Sequence, residues 1–168
     1  QIIDLLDWYS SQLYKMKVEV RLNTIMEVDE IKNFDADVTV LATGSYPSDT
    51  GFQKAIPHME KMPGIEIGGV YSAEDVMARR ARVGKSVLLL DEGGNWKGCG
   101  TAWKLAEEGH AVTLVTPDPL VGKELQRTAA DYPLRKRLAE LGVAFILESA
   151  ITSWNREGAE VFNFLNGK

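Results

Sequence analysis

The 168-residue chain has one cysteine and two histidines, and these scarcities remove several kinds of chemistry at once. A single thiol, Cys99, forms no disulfide within the chain and supplies no all-cysteine zinc or iron–sulfur site. His110 precedes an apolar run and reads as a packed turn residue, and His58 lies in a loop with no role assigned. No Ser/His/Asp arrangement, metal-ligand spacing or paired-carboxylate site can be assembled from what remains. Positive charge is in deficit: 19 Lys and Arg against 24 Asp and Glu leave a net −5, which argues against an electrostatic nucleic-acid binder. No apolar run approaches the ~20 residues of a membrane-spanning helix. The opening residues lack the basic and apolar regions of a secretory signal, so a cytoplasmic location is expected. Low-complexity tracts and solenoid-type repeats are lacking as well.

What is present is the alternation of apolar strands and amphipathic helices. Ile2, Ile3, Leu5, Leu6, Tyr9, Leu13 and Met16 recur at helical spacing and predict a first helix of about four turns. Val18–Leu22 alternates as a half-buried strand, and Val38–Leu41 is a more continuous apolar strand. Residues 48–69, with prolines and several glycines, read as loop. Ser72-Ala73-Glu74-Asp75 has the form of a capping box opening a helix to about Ala81. From Ser86 the pattern becomes strand (Val87–Leu90), glycine-rich turn, helix, and strand again (Ala111–Val115) after Gly109-His110. A helix over 129–141 ending at Gly142, a strand over 143–147, and a hairpin of 150–154 with 159–165 around Asn155-Arg156-Glu157-Gly158 complete the reading. The fold class expected is α/β: a Rossmann-like βαβαβ parallel sheet with an antiparallel hairpin, plus a partial second segment of FAD/ADP-domain type. The domains expected are a partial FAD/ADP-binding-like domain at 1–50, a connector at 51–85, and an NAD(P)-binding-like domain at 86–168.

The glycine-rich turn carries the chemistry. In the standard G-x-G-x-x-G pattern the first glycine makes the tight turn, the second lets a pyrophosphate approach backbone N–H groups, and the third lets the helix pack on the strand. Counting back from Gly109 places these positions at Gly93, Asn95 and Gly98; counting forward from Leu90 places the first at Asp91. The turn is therefore stretched by Asp91-Glu92. The cofactor-contacting candidates are Gly93, Gly94, Asn95, Trp96 and Gly98. Asn95 puts a side chain where a pyrophosphate would press on backbone, while Lys97 suits a phosphate. Asp91 and Glu92 bring up to two negative charges to the helix N-terminus, where a carboxylate gains roughly 0.3–1 kcal/mol, so the protein is expected to fill its own anion site. The acid that holds ribose hydroxyls at the end of the second strand is replaced by Thr116-Pro117, with Asp118 one step beyond. Cys99, just inside the helix, has two readings: a thiol with its pKa lowered by the helix dipole, and a buried spectator; the absence of a partner cysteine favours the second. Arg79-Arg80-Ala81-Arg82 and Arg135-Lys136-Arg137 read as solvated faces, the first with the option of contacting a further domain.

Asp37–Pro47 (DVTVLATGSYP) resembles the Ala-Thr-Gly strand end of two-dinucleotide-domain flavoproteins, and the βαβ unit follows some forty residues later. Together with Leu13–Asn23, Gly69–Val76 (GVYSAEDV) and Lys85–Pro117, it makes the chain resemble the C-terminal part of the trimethylamine dehydrogenase group. That group includes dimethylamine and histamine dehydrogenases and NADH:flavin oxidoreductase relatives of old yellow enzyme and 2,4-dienoyl-CoA reductase. The resemblance covers most of residues 10–148. It implies that Ala42, Thr43 and Gly44 border FAD or ADP, in a site completed by a strand and glycine turn preceding Gln1. It also implies an N-terminal TIM-barrel domain as partner, carrying the FMN and 4Fe–4S cluster that oxidise substrate. The stretched turn is similar to the amine dehydrogenase branch, which passes electrons to a protein acceptor, rather than to the reductase branch, which uses NADPH. The expectation is thus a C-terminal fragment of a multidomain flavin oxidoreductase without a complete active site. A functional NAD(P)H-binding domain feeding electrons to flavin, and a scaffold that binds no nucleotide, stay open beside it.

Overall fold

The computed structural model describes residues 2–168, with side chains from Asp4 onward, and divides into two compact units, Gln1–Ser45 and Tyr46–Lys168. The first contains α1 (Ile2–Lys15) and a short α2 (Val28–Asn33). In α2, Glu27 and Glu30 satisfy each other's backbone N–H groups as a capping box. No residue from Asp4 to Ser45 is buried. The apolar stripe of α1 is formed as expected, yet Leu6 and Tyr9 are more than half exposed.

The strands expected at Val18–Leu22 and Val38–Leu41 are not formed: neither segment belongs to a sheet among the described residues. Their composition suits a strand, but a strand exists only when a neighbouring backbone takes its N–H and C=O groups. Among the described residues no strand pairs with them, and Val38, Val40 and Leu41 are left three-quarters or more exposed.

The second unit is built on a parallel sheet. β1 (Ser86–Leu90), β2 (Ala111–Val115) and β3 (Ala144–Ile146) lie in the order β1-β2-β3, with Ser86 opposite Ala111 and Val115 opposite Ile146. The crossovers run through α4 (Trp96–Glu107) and α5 (Asp131–Glu140), preceded by α3 (Ala73–Met77). Both crossover helices stop as the sequence signals. Gly109 and Gly142 take positive φ, and the N–H groups of His110 and Val143 reach back to Leu105 and Leu138, the Schellman pattern in each case. Ser72 caps α3, accepting from the Asp75 N–H at 3.0 Å. That helix ends at Met77, well short of Ala81, because Arg79 turns to φ +59°.

Alternation along the strands separates two cores. Val87, Leu89, Val112 and Leu114 face α4 and α5, meeting Cys99, Ala102, Leu105, Leu134 and Leu138. Leu88, Leu90, Val115 and Ile146 face the other way, onto Met62, Ile65, Ile151 and Trp154. The second face is covered by residues 50–69 and by an antiparallel hairpin of β4 (Ser149–Asn155) and β5 (Gly158–Asn163). At its tip, Asn155 Oδ1 accepts from the N–H groups of Glu157 and Gly158 and closes the turn. The α/β class with a parallel sheet and a separate hairpin is thus what the chain forms.

Candidate functional site

The turn between β1 and α4 brings the glycine-rich candidates together around one buried carboxylate. Asp91 continues the β1·β2 ladder, its N–H donating to Val115 O at 2.8 Å, which turns its side chain in under the start of α4. There Asp91 Oδ1 accepts from the N–H groups of Gly93 and Gly94, both at 3.0 Å, and Oδ2 accepts the Cys99 thiol at 3.3 Å. Asp91 is 4% exposed. The two N–H groups that a phosphate would use in such a turn are therefore spent on the protein's own anion.

The sequence reading placed both Asp91 and Glu92 at this anion site; the structure places only Asp91 there. Successive residues of an extended segment point to opposite sides, so Glu92 leaves the turn and accepts from the N–H groups of Lys54 and Ala55, both at 3.0 Å. Gly94 adopts φ +56°, and its carbonyl accepts from Glu124 N–H at 3.0 Å, so the loop after β2 lies directly across the turn. A Cβ on Gly94 would meet the Lys123 nitrogen at 3.2 Å. Asn95, expected where a pyrophosphate would press, is the N-cap of α4, its Oδ1 accepting from Lys97 N–H at 2.9 Å. Trp96 is half-exposed at the first turn. Gly98 is tight for a different reason than phosphate approach: a Cβ there would stand 2.4 Å from Asp91 Cγ.

Burial pushes the Asp91 carboxyl above its ordinary pKa, the Cys99 and backbone donors opposing that and the Asp118 charge adding to it. Cys99 is fully buried, and burial together with the Asp91 charge drives its thiol far upward. The reading of a dipole-activated thiol is overturned: any help from the helix N-terminus is outweighed by burial beside a carboxylate.

The remaining candidates are occupied or apart. Lys97, considered for phosphate, pairs with Glu74 at 2.5 Å. Asp118, just past the position of a ribose-binding acid, pairs with Lys123 at 2.7 Å. His110 makes a 2.7 Å hydrogen bond with Gly84 O, in keeping with a packed turn residue. Arg80 pairs with Asp75, Arg135 with Asp131, and Arg137 with Glu107. Ala42, Thr43 and Gly44 lie exposed in the first unit, with Gly44 at φ +77° and open space around its Cβ position. Among the described residues no group of His, Cys, Asp or Glu suits a metal ion. Residues that the sequence reading did not single out hold the site's surroundings together: Gln53, Glu124 and Trp154. Gln53 bears no local signal, since its partner is Ile151.

No family model matches the chain. It is 38% identical over 111 residues to a cinnamate reductase of Clostridium sporogenes, covering 66% of this chain and 15% of that protein. It is 31% identical over 159 residues to an N,N-dimethylglycine/sarcosine dehydrogenase of Chromohalobacter salexigens, covering 94% and 22%. A solved 6-hydroxypseudooxynicotine amine oxidase of Pseudomonas geniculata superposes with a TM-score of 0.81 at 26% identity, over 89% of this chain and 22% of that one. A histamine dehydrogenase of a Rhizobium species reaches 0.87 at 24% identity, over 97% and 25%, and speaks for the fold alone. The chain spans less than a quarter of the length of these curated relatives.

Proposed function

The chain belongs with the flavoproteins of the trimethylamine dehydrogenase and old yellow enzyme family, whose C-terminal region it matches, and on that premise we propose that it serves a flavin-dependent, amine-dehydrogenase-like oxidoreductase as a nucleotide-type domain that takes up no NAD(P)H. Dimethylamine dehydrogenase is among its relatives. Residues 86–168 are the relic module, and 1–45 contribute Ala42, Thr43 and Gly44 to an FAD or ADP site completed elsewhere in the parent protein. Substrate oxidation belongs to a barrel domain with FMN and a 4Fe–4S cluster, and electrons leave to a protein acceptor. This chain's own residues do not fit a cluster, because Cys99 is its single cysteine and lies buried against Asp91.

The observation that carries the reading is the Asp91 carboxylate on the Gly93 and Gly94 N–H groups. A dinucleotide pyrophosphate entering this turn has to displace a buried, hydrogen-bonded charge and the Glu124–Gly94 contact as well. Each charge-assisted hydrogen bond is worth about 1.5–3 kcal/mol, so displacement removes much of what the phosphate would gain. The residues present therefore do not fit NAD(P)H.

A second reading draws on the relatives called cinnamate reductase and NADH oxidase. In it, the domain binds NAD(P)H and supplies electrons to flavin. Titration of the intact flavoprotein with NADH, NADPH and ADP, followed calorimetrically, separates the two. Binding of ADP alone is expected. NADH or NADPH binding at micromolar concentration defeats the relic reading, and binding gained only in Asp91→Gly identifies the carboxylate as the block.

A further inference from the structure

The free edge of β4 is covered by residues 50–69 rather than by another strand. Gln53 is 1% exposed, and its side-chain amide imitates a strand partner: Ile151 N–H donates to Oε1 at 2.9 Å while Nε2 donates to Ile151 O at 2.5 Å. Farther along the same edge, Trp154 N–H donates to Pro63 O at 2.9 Å and Trp154 Nε1 donates to Gly68 O at 2.9 Å. Gly64, at φ +87°, lies so close that a Cβ would stand 1.7 Å from the Trp154 carbonyl oxygen. Met62 and Ile65 complete the segment's apolar underside against Val115 and Ile151. From the opposite side, Glu92 holds the Lys54 and Ala55 N–H groups with both carboxylate oxygens. Upstream the picture changes. Residues 46–49 are exposed, Tyr46 almost completely, and Ser48 bonds only to neighbouring Thr50. Within 50–69 itself, Thr50 O accepts from Met62 N–H at 2.9 Å.

We infer that residues 50–69 are a strap latched onto the hairpin and the β1 end by Gln53 and Glu92, a local cooperative unit set apart from the exposed residues 46–49 before it. Two carboxylates placed side by side thus do separate jobs: Asp91 closes the glycine turn, and Glu92 closes the strap over it. The strap also covers an edge that would otherwise offer free N–H and C=O groups for pairing.

Hydrogen exchange of the intact chain, read by mass spectrometry, tests this. In the unsubstituted protein, amides of 50–69 are expected to exchange more slowly than those of 46–49 by about tenfold or more, the signature of a cooperative local unit. Gln53→Ala is expected to erase that difference across 50–69 while β1 and β2 keep their protection. Glu92→Gln, which keeps one carbonyl acceptor and the same shape, is expected to raise exchange only near 53–56. Equal exchange of 46–49 and 50–69 in the unsubstituted protein overturns the latch. So does Gln53→Ala loosening β1 and β2 as much as the strap, or Glu92→Gln changing nothing.

Discussion

Replacing Gly98 by alanine isolates the close approach on which the filled turn depends. The added methyl would stand 2.4 Å from Asp91 Cγ, 2.5 Å from Oδ1 and 2.9 Å from Cβ. Ordinary contact begins near 3.4 Å, so the neighbour has to give by about 1 Å. The neighbour is a buried carboxylate held by Gly93, Gly94 and Cys99, not the loose end of a flexible side chain. Overpacking of this kind costs about 1–3 kcal/mol. If the carboxylate shifts off the turn, weakening a charged hydrogen bond adds about 1.5–3 kcal/mol. Helix propensity returns up to ~1 kcal/mol, because glycine is the poorer helix former. The net expectation is a loss of about 2–4 kcal/mol, a large part of the 5–15 kcal/mol typical of a domain. Gly100 is the internal control: it lies on the same helix with nothing within 4 Å of its Cβ position, so Gly100→Ala is expected to be neutral or mildly stabilising. Urea unfolding followed by circular dichroism and tryptophan fluorescence measures both. In an Asp91→Gly background the clash is gone, and Gly98→Ala should become as mild as Gly100→Ala. An unchanged cost in that background refutes the argument, as does a Gly98→Ala variant no less stable than Gly100→Ala.

Two further outcomes follow from the same turn. The Asp91 carboxyl is raised above its ordinary pKa, so its contribution to stability is fully present below the unfolded pKa and declines as pH rises through the folded one. Relative to the uncharged Asp91→Asn variant, the natural chain should therefore lose stability between acid and neutral pH in urea-unfolding series; a natural chain that gains on the variant over that interval contradicts the assigned cause. Asn95→Ala removes the cap that accepts from Lys97 N–H and should cost about 1 kcal/mol by thermal unfolding. Asn95→Asp should restore most of the loss, and a failure to do so would mean the side chain does something other than cap.

The parallel sheet was legible because its information is local. β1 and β2 are nearly continuous apolar runs, as strands covered on both faces must be, and Gly109 and Gly142 mark the helix ends that their positive φ requires. The stretched turn was legible too, since an excess of two residues is a matter of counting, and two acids in that excess predict a self-filled anion site. Which acid fills it was not legible. Asp91 and Glu92 have the same charge, and only the direction in which each leaves the extended backbone sends one to Gly93 and Gly94 and the other to Lys54 and Ala55.

Composition and charge follow from the order of residues, as do the succession of elements from Ser86 onward and the helix ends, because these elements are marked by residues a few positions apart. The unmade strands at Val18–Leu22 and Val38–Leu41 show the limit: β propensity describes a segment, whereas a strand is a pair. The Gln53–Ile151 clamp shows it in the other direction, a polar residue in a loop given its place by a backbone 98 positions away. Burial of Asp91 beside Cys99, the rise of both pKa values, and the crossing of Gly94 by the loop after β2 depend on distances between distant parts of the chain. Such contacts are set by how the two cores close on the sheet, and no window along the sequence contains them.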